Sequence, residues 1–260
     1  MLHWTVGYAL GRLAREVAIA DVRRTADNMA MPEDAATGLS TRAWRGLAQL
    51  VVVLMLCLFL PAWSLRFWQA WVYLALFVGS CVAITRYLMR HDVRLLERRL
   101  AAGPRAEKES RQQVIQLVAS VAFLGMFVAP GFDQRFGWST VPLALVMLGD
   151  LLVVTGFWIV FRTFRENSYT SATIETAEGQ QVVSTGPYAV VRHPMYAGAL
   201  LMLLGTPLAL GSLWALAGFA AMVVVIVWRL TDEERVLSRD LPGYAAYLSR
   251  VRYRLVPFVW

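Results

Sequence analysis

The sequence predicts an all-α integral membrane protein, a polytopic helical bundle of five to six transmembrane segments, and three observations carry that reading. Hydrophobic residues make up 58% of the 260-residue chain and charged residues 17%, where soluble domains have about 45–50% and about 25%. The apolar residues fall in continuous runs rather than alternating, which excludes a transmembrane β-barrel. The cations sit beside those runs, so the net charge of +7 follows membrane topology and no nucleic-acid partner is expected.

Residues 1–45 read as a cytosolic or interfacial segment. Leu2, Val6, Leu10, Leu13 and Val17 recur at three- and four-residue steps and form one apolar helical face, suited to lying on a membrane or to packing on the protein. Arg12 and Arg15 interrupt that stretch, so it does not read as a signal peptide. Residues 31–41, with Pro32, Glu33, Asp34 and Gly38, read as a linker. Six apolar segments follow, roughly 46–63, 68–89, 113–130, 141–161, 195–210 and 212–229. The first four can each cross about 30 Å of hydrocarbon at about 1.5 Å per residue. Only Gly211 and Ser212 separate the last two, which form either a tight hairpin or one bent span. The chain thus divides into residues 1–45, transmembrane helices over 46–130 and a core over 131–260 that holds the long polar stretches.

Orientation follows from the cations. Of 25 Lys and Arg residues, 23 fall in 1–45, 86–111, 162–192 and 229–254; the connections 61–67 and 131–140 hold only Arg66 and Arg135. The positive-inside rule makes the rich side cytoplasmic and places both termini there. The polar stretches 162–194 and 229–260 then share one side, so a single site can draw on both. Cys57 and Cys81 lie within apolar runs and read as small hydrophobes. With His3, His91 and His193 far apart in sequence, no metal-ligand cluster is expected.

Within 162–198, Thr185-Gly186-Pro187 is a turn signal, and Pro194 suits the first turn of the next helix. Arg192 and His193 then stand at a helix N-terminus, where unpaired N–H groups and the positive dipole end favour an anion. Gly186 and Gly198 allow close approach of a ligand or of a second helix. The same residues also suit a plain cytosolic anchor, with Tyr196 as an interfacial belt residue. Glu233 and Glu234 lie within about one turn of the end of the last apolar run. They can pair with Arg229 and Arg235, or hold ribose hydroxyls or a ligand amine. Tyr244 and Tyr247 share one helix face, placed to pack over an aromatic base or to lid the bundle.

GPYAVVRHPMYAG at 186–198, followed by DEERVL and GYAAYLSRVRYRLVP, resembles the isoprenylcysteine carboxyl methyltransferase family, above all its bacterial members. It is similar, more distantly, to phospholipid N-methyltransferases. The resemblance covers about 140–260 and includes FRENSY at 164–169; the first 110 residues match only as generic membrane helices. It implies S-adenosylmethionine bound from the cytosolic side in a pocket formed by the C-terminal half. It also implies methyl transfer by in-line substitution without a metal, in a bacterial inner membrane. The implied acceptor is lipophilic, either the carboxylate of a prenylcysteine-like compound or a lipid amine.

Arg192, His193, Pro194, Tyr196 and Gly198 fall on the family's RHPxYxG motif, Glu233 and Glu234 on its paired glutamates, and Tyr244 and Tyr247 on its YxxY positions. With Gly186, Pro187 and Tyr188 closing over it, these residues are expected to bind the cofactor, His193 and Glu234 foremost. Arg192 or Arg252 is expected to pair with a substrate carboxylate. The family's Phe-Gly before the first of those tyrosines is here Leu241-Pro242-Gly243, which alters the local loop. Two other readings stand beside this one: a non-catalytic membrane scaffold that holds anionic lipid through the basic 86–111 segment, and an NADPH-dependent sterol-reductase-like enzyme. The sequence carries no signal for an oligomeric state.

Overall fold

A computed structural model describes residues 33–100, 110–170 and 180–260. Among the described residues there are eight α-helices and no strand: α1 (Glu33–Ala62), α2 (Trp68–His91), α3 (Val93–Leu100), α4 (Ser110–Phe136), α5 (Leu143–Glu166), α6 (Pro194–Ala209), α7 (Leu216–Asp240) and α8 (Tyr244–Arg250). Arg42–Trp260 form one compact unit. The described part of the other unit is the opening of α1. The amphipathic face expected over residues 2–17 lies outside the described residues.

Residues 33–41 are helix rather than linker. Thr41 Oγ1 donates to the Thr37 carbonyl one turn back, at 3.1 Å. Gly38 costs only about 0.5–1 kcal/mol against alanine, too little to break the helix.

Four stretches are long and apolar enough to cross a membrane: Thr37–Ala62, Trp68–His91, Gln112–Phe136 and Leu143–Glu166. On α5, Leu143, Met147, Leu151, Val154 and Trp158 are exposed at three- and four-residue steps, so one apolar face looks outward. The opposite face carries glycines. A Cβ on Gly156 would lie 2.5 Å from the Gly198 carbonyl oxygen, and one on Gly205 would lie 2.6 Å from that of Gly149. The backbones of α5 and α6 therefore touch along a stripe of small residues, a packing that membrane helices favour because dispersion must replace the hydrophobic effect.

This pairing fixes the register. With Gly149 opposite Gly205 and Gly156 opposite Gly198, Pro194 stands level with Val160. The last turn and a half of α5 then overhangs the start of α6. That overhang leaves a space above the α6 N-terminus, and the polar segments fill it.

The last two apolar segments form a hairpin. α6 ends at Ala209, Gly211 turns the chain at φ 68°, and α7 returns so that Glu233 meets Tyr196. At the turn end of the bundle, Asp133 is buried among Ser139 and Ser212. Its carboxylate accepts from Ser139 N at 2.7 Å, Ser139 Oγ at 2.6 Å and Ser212 Oγ at 2.6 Å. Those bonds tie the α4–α5 connection to the α6–α7 connection. In the interior, Tyr73 and Thr206 share a hydroxyl–hydroxyl bond of 3.1 Å between α2 and α6.

Candidate functional site

At the other end, α5 stops at Asn167, the α5 C-cap, whose side chain organises the next segment of chain. Its amide nitrogen donates to the Tyr188 hydroxyl at 3.0 Å, and its oxygen accepts from Tyr169 N at 2.9 Å. Thr170 Oγ1 donates to its carbonyl at 2.8 Å. The turn expected at 185–187 is a 3-10 turn, Gly186–Ala189, opened by Gly186 at φ 55°. A Cβ on Gly186 would meet the Glu166 carboxyl at 2.7 Å, and that carboxyl accepts from Thr185 Oγ1. Glycine is thus required there twice, by backbone and by space.

The C-terminal tail lies along the entry to α6. Arg192 N donates to Tyr253 O at 2.9 Å, and His193 N to Arg254 O at 3.0 Å. The Arg192 guanidinium donates to Val251 O at 2.6 Å, Leu248 O at 3.0 Å and Glu234 Oε1 at 3.2 Å. It thus satisfies the carbonyls left unpaired at the end of α8, where a cation also complements the helix dipole.

Three successive carboxylates on α7 face three directions, as about 100° per residue requires. Asp232 turns toward α4, accepting from Gln112 Nε2 at 2.8 Å and from Arg235 at 3.0 Å. Glu233 turns inward and accepts from the Tyr196 hydroxyl at 2.6 Å. Glu234 turns toward the tail, where Arg192, His193 Nε2 at 3.3 Å and Arg254 Nε at 2.9 Å surround it. Burial alone would raise the Glu234 pKa. The His193, Arg254 and Arg192 interactions outweigh burial and lower it to about 2.

Between these elements lies a cavity. Asn167, Tyr169, Thr170, Gln180, Val182 and Tyr188 form one side; Arg192, His193, Pro194, Met195 and Tyr196 form the floor. Arg229, Glu233, Leu237, Leu241, Tyr244 and Tyr247 form the other side. Tyr247 donates to the Tyr188 carbonyl at 2.8 Å and so locks α8 onto the 3-10 turn. Among the described residues the buried Tyr244 hydroxyl has no partner. Burial first, then the Glu234 and Glu233 charges, raises the Tyr244 pKa; burial likewise raises those of Tyr188 and Tyr247. All three are therefore phenols that can donate.

Of the residues expected from sequence, Tyr188, Arg192, His193, Pro194, Tyr196, Glu233, Tyr244 and Tyr247 line this cavity. Gly186, Pro187, Gly198, Glu234 and Arg252 do not. Gly198 faces Gly156 of α5 as a packing residue, and Gly186 shapes the turn. Glu234 is held by three side chains of the fold, while Arg252 is exposed. Arg192 is committed largely to α8 and Glu234, which leaves it poorly placed to bind a substrate carboxylate.

Sequence reasoning named neither Asn167 nor Arg229 as a binding residue of the cavity, nor Arg254 as a partner of Glu234. Arg229 had a signal: it lies four residues before Glu233, on the same helix face. Arg254 had none, because only the fold of the tail brings it to Glu234.

Comparisons with known proteins place the chain among membrane enzymes. Residues 144–241, which run from α5 to just past α7, match the Phospholipid methyltransferase family model. The chain is 34% identical over 134 residues to the Delta(14)-sterol reductase of Mus musculus, covering 46% of this chain but only 31% of the mouse protein. It is 30% identical over 152 residues to Protein-S-isoprenylcysteine O-methyltransferase B of Arabidopsis thaliana, covering 56% of this chain and 70% of the plant protein. With its long apolar helices, the chain is an integral membrane protein that belongs to the isoprenylcysteine O-methyltransferase family of membrane methyltransferases.

Proposed function

We propose that the protein transfers a methyl group from S-adenosylmethionine to the carboxylate of a lipophilic acceptor, with the cavity above α6 on the cytosolic side. The single observation that carries this reading is the cavity's division into two ends. One end is built of hydrogen-bonding and aromatic groups, and the other is charged and sits where α6 and α7 become apolar.

The cofactor fits the first end. The partnerless Tyr244 hydroxyl needs an acceptor, and a buried polar atom left unpaired costs about 1–3 kcal/mol. Asn167, Thr170 and Tyr188 add polar contacts, while Val182, Leu237 and Leu241 offer apolar surface to an aromatic base. His193 and Pro194 lie beneath. When bound, the cofactor supplies an electrophilic methyl: the acceptor oxygen bonds to that carbon as the carbon–sulfur bond breaks, and the electron pair stays on sulfur. No proton moves when the acceptor is a carboxylate. Orientation and exclusion of water then remain for the protein, and orientation can supply about 7–11 kcal/mol of the barrier.

The acceptor would enter the second end, against Arg229, Glu233 and Tyr196. Arg229 lines that end, and a guanidinium pairs with a carboxylate through parallel N–H donors. An amine would need a base to take its proton.

A methyl-transfer assay in detergent tests the reading, with labelled S-adenosylmethionine and either N-acetyl-S-farnesylcysteine or phosphatidylethanolamine as acceptor. Base-labile methyl ester on the first supports it; label on the lipid amine alone moves the acceptor class. The match to the mouse sterol reductase favours a second reading with a nicotinamide cofactor, and NADPH oxidation is the corresponding control. A cysteine at residue 134 that reacts with an impermeant reagent on intact cells would support the orientation.

A further inference from the structure

One wall of the cavity is held by a helix that does not line it. α2 ends at Asp92, whose carboxylate accepts from Leu95 N at 2.9 Å and so opens α3. On α3, Leu95 and Leu96 are buried while Arg94 and Glu97 are exposed. Residues three and four apart share a helix face, so the burial of Leu95 carries Arg98 toward the protein. α3 lies outside the residues that match the family model, yet Arg98 reaches the segment that follows α5.

Arg98 Nη1 donates to Ser168 O at 2.7 Å, and its guanidinium lies 5.4 Å from the centre of the Tyr169 ring. The segment it grips is cavity wall, since Asn167, Tyr169 and Thr170 all face the cavity. The Asn167 side chain organises that wall from within, through Tyr169 N and the Tyr188 hydroxyl. Arg98 holds it from behind. A guanidinium can make both contacts at once, because it donates in its plane and stacks with its face.

We propose that Arg98 is a positioning residue for the cofactor end of the cavity: by holding the Ser168 carbonyl and backing the Tyr169 ring, it fixes the Asn167–Thr170 wall in the shape that receives S-adenosylmethionine. The inference deepens the proposed function and rests on it. Arg98 acts through the wall and touches neither cofactor nor acceptor. It supplies preorganisation, since a wall ordered before binding spares the ligand the cost of ordering it.

The test uses the full chain in detergent. S-adenosylhomocysteine affinity and thermal unfolding are measured for the wild type, R98A, R98K, Y169L and the R98A/Y169L double variant. Methylation kinetics follow, with N-acetyl-S-farnesylcysteine as acceptor. R98A is expected to weaken S-adenosylhomocysteine and raise KM for S-adenosylmethionine about tenfold. Its kcat and its KM for the farnesyl acceptor should change less than about twofold, the pattern of lost ground-state binding of one substrate, with the melting temperature unchanged. R98K keeps a donor but not the planar face, and should lose about threefold. Y169L should cost about as much as R98A, and the double variant little more than either, because the two residues act through one contact.

Wild-type S-adenosylhomocysteine affinity in R98A would overturn the proposal. So would a parallel loss of affinity, kcat and melting temperature that R98K fails to repair, since that marks a merely structural residue. Losses that multiply in the double variant would overturn it as well. A wild type that does not bind S-adenosylhomocysteine fails one step earlier: it removes the proposed function and this inference with it.

Discussion

At the turn end of the bundle, Asp133 accepts three short hydrogen bonds from Ser139 and Ser212, far from the cavity above α6. At the opposite end, Glu233 accepts one bond from Tyr196 and faces that cavity, which also holds a partnerless Tyr244 hydroxyl. Both are carboxylates near the edge of the apolar layer, where an unpaired charge is expensive. The contrast lies in what remains unsatisfied. Asp133 has spent its acceptor capacity on joining two connections, whereas Glu233 keeps capacity next to open space. Glu234, one residue on, belongs with Asp133: Arg192, His193 and Arg254 close it off. Adjacent glutamates that look equivalent in sequence thus divide into one enclosed by the fold and one that faces the cavity, because a helix turns them about 100° apart.

The largest way to break this comparison is to disturb what holds the two ends in register. Gly198→Leu would push a side chain into the Gly156 carbonyl, and overpacking of this kind costs about 1–3 kcal/mol or more. Loss of monodisperse protein in detergent is expected, whereas a well-folded, fully active variant would remove the α5–α6 stripe from the account.

Next comes Glu234→Ala, which strips the acceptor from three donors and should destabilise the fold by about 3 kcal/mol, measured by thermal unfolding in detergent. Its pH dependence has a definite sign. The folded pKa is lowered from 4.5 to about 2, so the contribution is complete above the unfolded value and is lost as pH falls from 4.5 toward 2. Glu234→Gln should therefore flatten stability across that window, and an unchanged acid profile would contradict the closed cluster.

Glu233→Gln should do the reverse. Stability should hold within about 1 kcal/mol, as for other changes that keep shape and hydrogen bonding, while KM for the carboxylate acceptor falls, because the variant removes a negative charge that faces it. Equal losses of stability in the Glu233 and Glu234 variants would erase the distinction between them. Smallest is Tyr244→Phe, expected to weaken S-adenosylhomocysteine about fivefold, the worth of one net hydrogen bond, without lowering stability. Asp133→Asn, at the far end, should leave that affinity unchanged.

The bundle is legible in the sequence because its signals are local. Runs of apolar residues, Pro194 opening a helix, and Gly186 in a turn each depend on near neighbours. The opening of α1 reads as a linker because Gly38 suggests a break that the helix in fact tolerates. The site is legible where motif residues sit on one surface, as Tyr188, His193, Tyr196, Glu233, Tyr244 and Tyr247 do. Sequence misleads where a motif residue serves the fold: Gly198 is there for backbone contact, and Glu234 for an ion cluster built with a tail residue twenty positions away.

The central claim is that the cavity above α6 holds S-adenosylmethionine, and a calorimetric titration of the purified protein with S-adenosylhomocysteine tests it most directly, with NADPH as control. The account predicts saturable binding near micromolar, about −8 kcal/mol, weakened by Tyr244→Phe and indifferent to Asp133→Asn. Binding of NADPH without S-adenosylhomocysteine, or S-adenosylhomocysteine binding that ignores Tyr244, would contradict it.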